Sequence, residues 1–170
     1  MVRHHEPFSV ASGYFEEPVA TVNAWRNLWF HTGDIAIRNP DGSYRFLDRL
    51  KDAIRRRGEN ISSWEVEEAL LSHPEISGVA VIGVPSDMTE EEVMAFVEYR
   101  SEQRPSFEDL VHFLEDRLAY FAIPRFWEYV ETLPMTENNK VKKHVLRSRG
   151  VTASTWDRES AGVILRRCPV

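Results

Sequence analysis

The sequence predicts an α+β fold, a small central β-sheet with packed helices, preceded by a β-hairpin. Three observations predict it. Apolar runs of strand length recur at 79–84, 93–99 and 126–130. Two other segments carry apolar residues at helical spacing: Val66, Ala69 and Leu70, then Phe107, Leu110, Val111, Leu114 and Leu118. Two further strand-like runs, 29–38 and 43–48, flank Asn39-Pro40-Asp41-Gly42, a strong turn signal.

Each element has a local reason. Glu17-Pro18 opens a short helix through Trp25, with proline in its first turn, where the missing N–H does no harm. The hairpin follows, with Ile35, Ile37, Tyr44 and Phe46 as its apolar members. A basic run holds a short strand over 53–57 that ends at Gly58. Ser62 with Glu65 has the spacing of a capping box, and the helix it opens stops at His73-Pro74. Ser106 starts the next helix, and 141–148 forms a short terminal element. From Val151 the periodicity is weak despite Trp156 and the 163–165 run. There is no internal repeat and no low-complexity segment.

Composition narrows the functional classes. The 170 residues are 42% apolar and 28% charged, the balance of a globular chain. Lys and Arg number 21 against 27 Asp and Glu, a net charge of −6, which argues against a general binder of nucleic acid or anionic membrane. The longest apolar run, 78–85, is far too short to span a membrane, and the basic N-terminus has no apolar stretch behind it, so a secretory signal is not expected. The single cysteine, Cys168, cannot form an internal disulfide or a cysteine metal cluster. These features together fit a cytoplasmic protein. There is no glycine-rich phosphate loop, no dinucleotide fingerprint and no serine elbow. His4-His5 reads as incidental, and no cluster has metal-ligand spacing. On residues alone the chain resembles an accessory domain without a complete active site.

Three segments stand out. In Phe30-His31-Thr32-Gly33-Asp34 a carboxylate follows a glycine at the start of a strand, a place suited to accepting hydrogen bonds from two vicinal hydroxyls; a turn glycine with a solvated aspartate is the plainer reading. Asp48-Arg49-Leu50-Lys51-Asp52, followed by Gly58-Glu59-Asn60-Ile61, suits a hinge at Lys51 or Asp52, or equally a solvated connector. Leu133-Pro134-Met135-Thr136-Glu137-Asn138-Asn139-Lys140 presents Lys140 in a polar loop, where it can stabilise a developing negative charge or simply lie in solvent.

Taken together and in this order, these segments resemble the C-terminal part of AMP-forming acyl-CoA synthetases, members of the adenylate-forming superfamily. Gly13-Tyr14-Phe15, Trp29-Phe30-His31-Thr32-Gly33-Asp34, Asp48-Arg49-Leu50-Lys51-Asp52, Gly58-Glu59-Asn60-Ile61-Ser62 and Leu133-Pro134 with Lys140-Val141 carry the likeness, over about residues 8–149. The wording is most similar to acid–CoA ligases, within them the crotonobetaine/carnitine-CoA ligase branch. The resemblance implies two steps: a carboxylate and Mg2+-ATP give acyl-AMP, and CoA then displaces AMP after the C-terminal domain swings. It implies that Asp34 and Arg49 hold the ribose, that Lys51 is the hinge, and that Gly58 lets the backbone approach the pantetheine. Lys140 is implied as the adenylating lysine. Two positions depart from the family pattern: Asn139 stands where glycine is usual before the lysine, and Met135 where a basic residue often follows the proline.

The same resemblance implies a domain plan. Residues 1–49 are the end of a large N-terminal domain, 50–150 the C-terminal α+β domain, and 151–170 a tail. The phosphate loop, adenine pocket and acyl pocket belong to that larger domain, so the isolated chain is expected to be inactive, with an apolar, weakly ordered or self-associating hairpin. The alternative is a free-standing binding or regulatory module docking on a partner ligase; such a module has no need of a ribose-binding Asp34 and Arg49.

Overall fold

Strands β5 (Ile76–Pro85) and β6 (Glu91–Tyr99) pair antiparallel and form the centre of the sheet. In this computed structural model residues 1–3, 6, 9–86, 90–101 and 104–165 are described; His4-His5 and Cys168 lie outside them. Side chains alternate across a strand. Val79 and Val81 of β5 join one cluster, with Val93, Ala95 and Val97 of β6, while Ala80, Ile82 and Val84 join another, with Met94 and Phe96. Both faces are therefore buried. This is why 78–85 reads as a continuous apolar run and not as an alternating one.

Each face has its own cover. Helices α2 (Ser63–Leu71) and α3 (Phe107–Glu115) contribute Val66, Leu70, Leu110, Val111 and Leu114 to the first cluster. Helix α4 (Lys143–Arg149) contributes Leu146 to the second, beside Leu133. Ser62 caps α2 by accepting from Glu65 N at 3.2 Å, and Ser106 caps α3 in a reciprocal box with Asp109. Helix α3 lies between β6 and β7 (Phe126–Tyr129), which run parallel and so require a crossover. On β7, Trp127 is wholly buried and its indole N–H donates to Pro124 O.

The segment from Val151, weakly patterned in sequence, supplies the sheet's fourth strand, β8 (Trp156–Asp157), antiparallel to β7. Polar anchors hold it where apolar periodicity does not. Asp157 forms a two-point pair with Arg125, both distances 2.9 Å. Glu128, buried on β7, accepts from Arg149, Thr152, Ser154 and Thr155.

The short strand expected over 53–57 is one arm of a hairpin, β3 (Ile54–Arg56) with β4 (Glu59–Ile61). Arg57 and Gly58 make the turn, with φ of +53° and +83°. Two positive φ values match the twist of paired strands. Arg56 points inward from β3 and meets Glu92 of β6, Nε to Oε2 2.6 Å, with the two side chains 4% and 1% exposed. Its other end donates to Phe121 O at 2.8 Å.

The chain divides into two units, Met1–Lys51 and Asp52–Val170. The first holds α1 (Pro18–Ala24) and the hairpin β1 (Asp34–Arg38) with β2 (Tyr44–Arg49). The sequence carried the first strand back to residue 29. Its extended run starts instead at Asp34, because Gly33 takes φ of +73° and turns the backbone. The turn after β1 closes with Asn39 N donating to Ser43 O, and Asp41 accepting from Ser43. Phe15, Val19, Val22, Tyr44 and Phe46 are exposed, and only Asp48 is buried among the unit's described residues. No helix among the described residues is long and apolar enough to cross a membrane.

Two ion pairs of the second unit generate stability predictions. Glu92→Ala leaves the buried Arg56 with only the looser Glu159 contact, at 3.9 Å, as counter-charge and should cost about 3 kcal/mol, whereas Arg56→Met with Glu92→Leu should be close to neutral; urea unfolding of the chain measures both. Asp157 is held at a pKa of about 2 by its hydrogen bonds from Arg125, against 3.8 ordinarily. A depressed carboxylate stabilises the fold above its unfolded value and loses that contribution as pH falls through the folded one. Relative to Asp157→Asn, the native chain should therefore lose about 2 kcal/mol between pH 4 and pH 2, read from paired urea titrations.

Candidate functional site

Asp34 opens β1 immediately after the Gly33 turn, and β2 returns Arg49 directly opposite it. Arg49 Nε lies 3.0 Å from Asp34 Oδ1. Its guanidinium also donates to Thr32 O at 3.2 Å, and Thr32 Oγ1 accepts from Asp34 N at the same distance. Leu50 N donates to Gly33 O at 2.7 Å, which ties the end of β2 to the turn. The buried Asp48 carboxylate accepts from Arg49 N. Asp34 is thus oriented from several sides while its side chain stays 32% exposed. A carboxylate beside a guanidinium can accept from a diol on one side and receive its own positive partner on the other.

Lys51 is exposed and is the last residue of the first unit. Gly58 lies at the β3–β4 turn of the second unit. A Cβ built on Gly58 would meet no atom within 4 Å, so backbone conformation, not crowding within the chain, calls for glycine there. A cavity of about 380 Å³ lies beside the turn, lined by Arg56, Arg57, Tyr120, Arg158 and Glu159 among others. Burial lowers the Arg56 and Arg158 pKa values, with Glu92 and Glu159 opposing the effect.

Lys140 stands in a tight loop between β7 and α4. Met135 and Val141 form a bridge at its base, and Lys142 N donates to Pro134 O at 2.7 Å. Inside the loop, Thr136 N donates to Lys140 O at 2.8 Å, and Thr136 Oγ1 accepts from Lys140 N at 3.1 Å. Asn139 takes φ of +56°, the left-handed conformation that asparagine tolerates better than most side chains. The loop closes without glycine and leaves Lys140 and Met135 exposed.

Of the residues singled out in the sequence, Asp34 and Arg49 are brought into contact; Gly58 and Lys140 lie on different loops of the second unit. Sequence reasoning passed over the residues that fasten α4, the helix into which the Lys140 loop leads. Lys143 Nζ lies 2.8 Å from Glu67 Oε1 and 2.7 Å from Ser63 Oγ, and Arg147 pairs with Asp52 at 2.7 Å. Their partners are distant in sequence, and only the basic character of 140–149 marks them. Among the described residues no group of three or more His, Cys, Asp or Glu side chains is placed to hold a metal ion.

Comparison with known proteins gives this arrangement a lineage. Residues 65–140 match the C-terminal domain of AMP-binding enzymes. The chain is 39% identical over 140 residues to 4-hydroxybutyrate–CoA ligase 2 of Metallosphaera sedula, covering 82% of this chain and 25% of that protein. It is 38% identical to the crotonobetaine/carnitine–CoA ligase of Salmonella arizonae, covering 79% and 26%. Its fold matches the o-succinylbenzoate CoA synthetase of Bacillus subtilis, solved with an acyl-adenylate intermediate, with a TM-score of 0.75 and 30% identity over 81% of this chain and 28% of that one. The chain spans about a quarter of the length of these relatives. These matches support a C-terminal part of an adenylate-forming acyl-CoA synthetase.

Proposed function

We propose that the chain is the mobile C-terminal part of an acid–CoA ligase. In the first step a substrate carboxylate oxygen attacks the α-phosphorus of ATP; the P–O bond to pyrophosphate breaks and acyl-AMP forms. In the second step the CoA sulfur, having lost its proton, attacks the acyl carbonyl, and the C–O bond to AMP breaks. Mg2+ bound with the nucleotide would screen the negative charge of its phosphates. The large nucleotide- and acyl-binding domain is a required partner, and the chain alone is inactive. A cytoplasmic setting rests on the lone cysteine and the composition.

One observation carries the reading. The chain divides immediately after Lys51, with the Asp34–Arg49 pair before the division and Gly58 and Lys140 after it. A fixed ribose clamp and two loops on a separate unit suit a reaction whose halves need different loops. Asp34 accepts from the ribose hydroxyls and Arg49 fixes its orientation. Lys140 brings a positive charge to the carboxylate and phosphoryl oxygens as negative charge is redistributed. Turning about Lys51 then withdraws Lys140 and presents the Gly58 turn, whose open face admits a narrow thiol arm.

In the intact ligase, Lys140→Ala should slow acyl-AMP formation by about 10²–10³-fold and leave thioester formation from supplied acyl-AMP near the native rate. Single-turnover assays of each half-reaction measure this, and equal loss in both would overturn the role given to Lys140. Asp34→Ala should raise the KM for ATP about tenfold, close to 1.4 kcal/mol, without changing the affinity for the acid.

A further inference from the structure

We infer that Arg147 is a positioning residue that confines the domain movement to Lys51; the inference rests on the ligase reading above. A swing delivers a side chain accurately only if the chain beyond the pivot is held. Asp52, the first residue of the second unit, is held: its Oδ1 lies 2.7 Å from Arg147 Nη2, and its side chain is only 13% exposed. The guanidinium reaches it from α4, 95 residues further along the chain.

Helix α4 is a firm anchor because the same helix is fastened one turn earlier. Lys143 and Arg147 are four residues apart and so share a face. Lys143 binds Glu67 and Ser63 of α2, and the same Glu67 oxygen accepts from Val81 N of β5 at 2.8 Å. Leu146 is buried against the sheet. The Lys140 loop leads directly into α4 and is closed by Lys142 N on Pro134 O. One short helix therefore joins the residue after the pivot to the root of the lysine loop. Rotation at Lys51 is passed to Lys140 without being absorbed at residues 52–54. Nothing in the composition of 48–52 distinguishes such a pivot from a flexible connector; the Arg147 contact does.

Hydrogen exchange on the 170-residue chain tests this directly. In Arg147→Gln the amides of residues 52–54 should exchange about tenfold faster while those of β5 and β6 are unchanged, and Arg147→Lys, which keeps the charge, should recover most of the protection. In the intact ligase the Gln variant should lower kcat about tenfold with the KM for ATP unmoved, because Asp34 and Arg49 are untouched. Unchanged exchange at 52–54, faster exchange spread equally over β5 and β6, or local loosening with native kcat would each overturn the inference. Lys140→Ala separates this from failure of the ligase reading. If that variant adenylates normally, the reading itself falls; if it does not and Arg147→Gln behaves as native, only the role of Arg147 falls.

Discussion

Two-sided burial of β5 and β6 is the constraint on which the second unit depends. A sheet apolar on both faces has to be covered on both. The chain meets this by placing α2 and α3 against one face and α4 against the other. The crossover through α3 makes β7 parallel to β6, and only then does the chain reach the opposite face to lay down α4. The Lys140 loop is the connection between those last two elements. Its position is a by-product of covering the second face: Leu133 at its start is buried in that cluster, and its tip, from Glu137 to Lys140, is exposed. A loop of this kind can carry an exposed lysine at small cost to the fold.

The first unit follows different rules. With only Asp48 buried among its described residues, it has little hydrophobic stabilisation of its own. What it fixes is local and polar: the Gly33 turn, the register that sets Asp34 opposite Arg49, and the carboxylates of Asp34 and Asp48 engaging Arg49 from side chain and backbone. Precision there comes from hydrogen bonds over a few residues, and it does not require a core. The ribose contact proposed for Asp34 and Arg49 needs that kind of precision.

This difference explains how much was legible in the sequence. Asp34, Arg49, Gly58 and Lys140 sit in short segments whose turn residues and charges are all nearby, so their local setting was legible, while the roles proposed for them come from the family resemblance and not from the residues alone. Strands β5, β6 and β7 were legible as apolar runs of strand length, and helices α2 and α3 because burial of one face imposes a helical period. The 29–33 stretch was read as strand because Trp29 and Phe30 favour one, and the conformation of Gly33 overrode them. Strand β8 left no period because it has two residues and is held by Arg125 and Glu128. The pairs Arg56–Glu92, Lys143–Glu67 and Arg147–Asp52 join residues tens of positions apart. A charge in a sequence says nothing of which distant charge it will meet.

Arg57 shows how local strain and distant support combine. A turn with two positive φ values is easiest with Asn-Gly, yet this one is Arg-Gly. Holding arginine in the left-handed region costs about 1–2 kcal/mol. The exposed Arg57 lies 3.9 Å from Glu159 of the C-terminal segment, a pair worth at most about 1 kcal/mol. The pair offsets only part of the strain, so the remainder is borne by the rest of the hairpin: Ile54 and Ile61 buried in the core, and Arg56 locked to Glu92. Asn139 reaches the same conformation with a side chain that suits it, and its loop is closed by backbone and threonine hydrogen bonds alone. Of these two loops, the one with the more strained side chain has Ile54 and Ile61 buried directly in its strands, and the exposed tip of the other uses the residue that strains least.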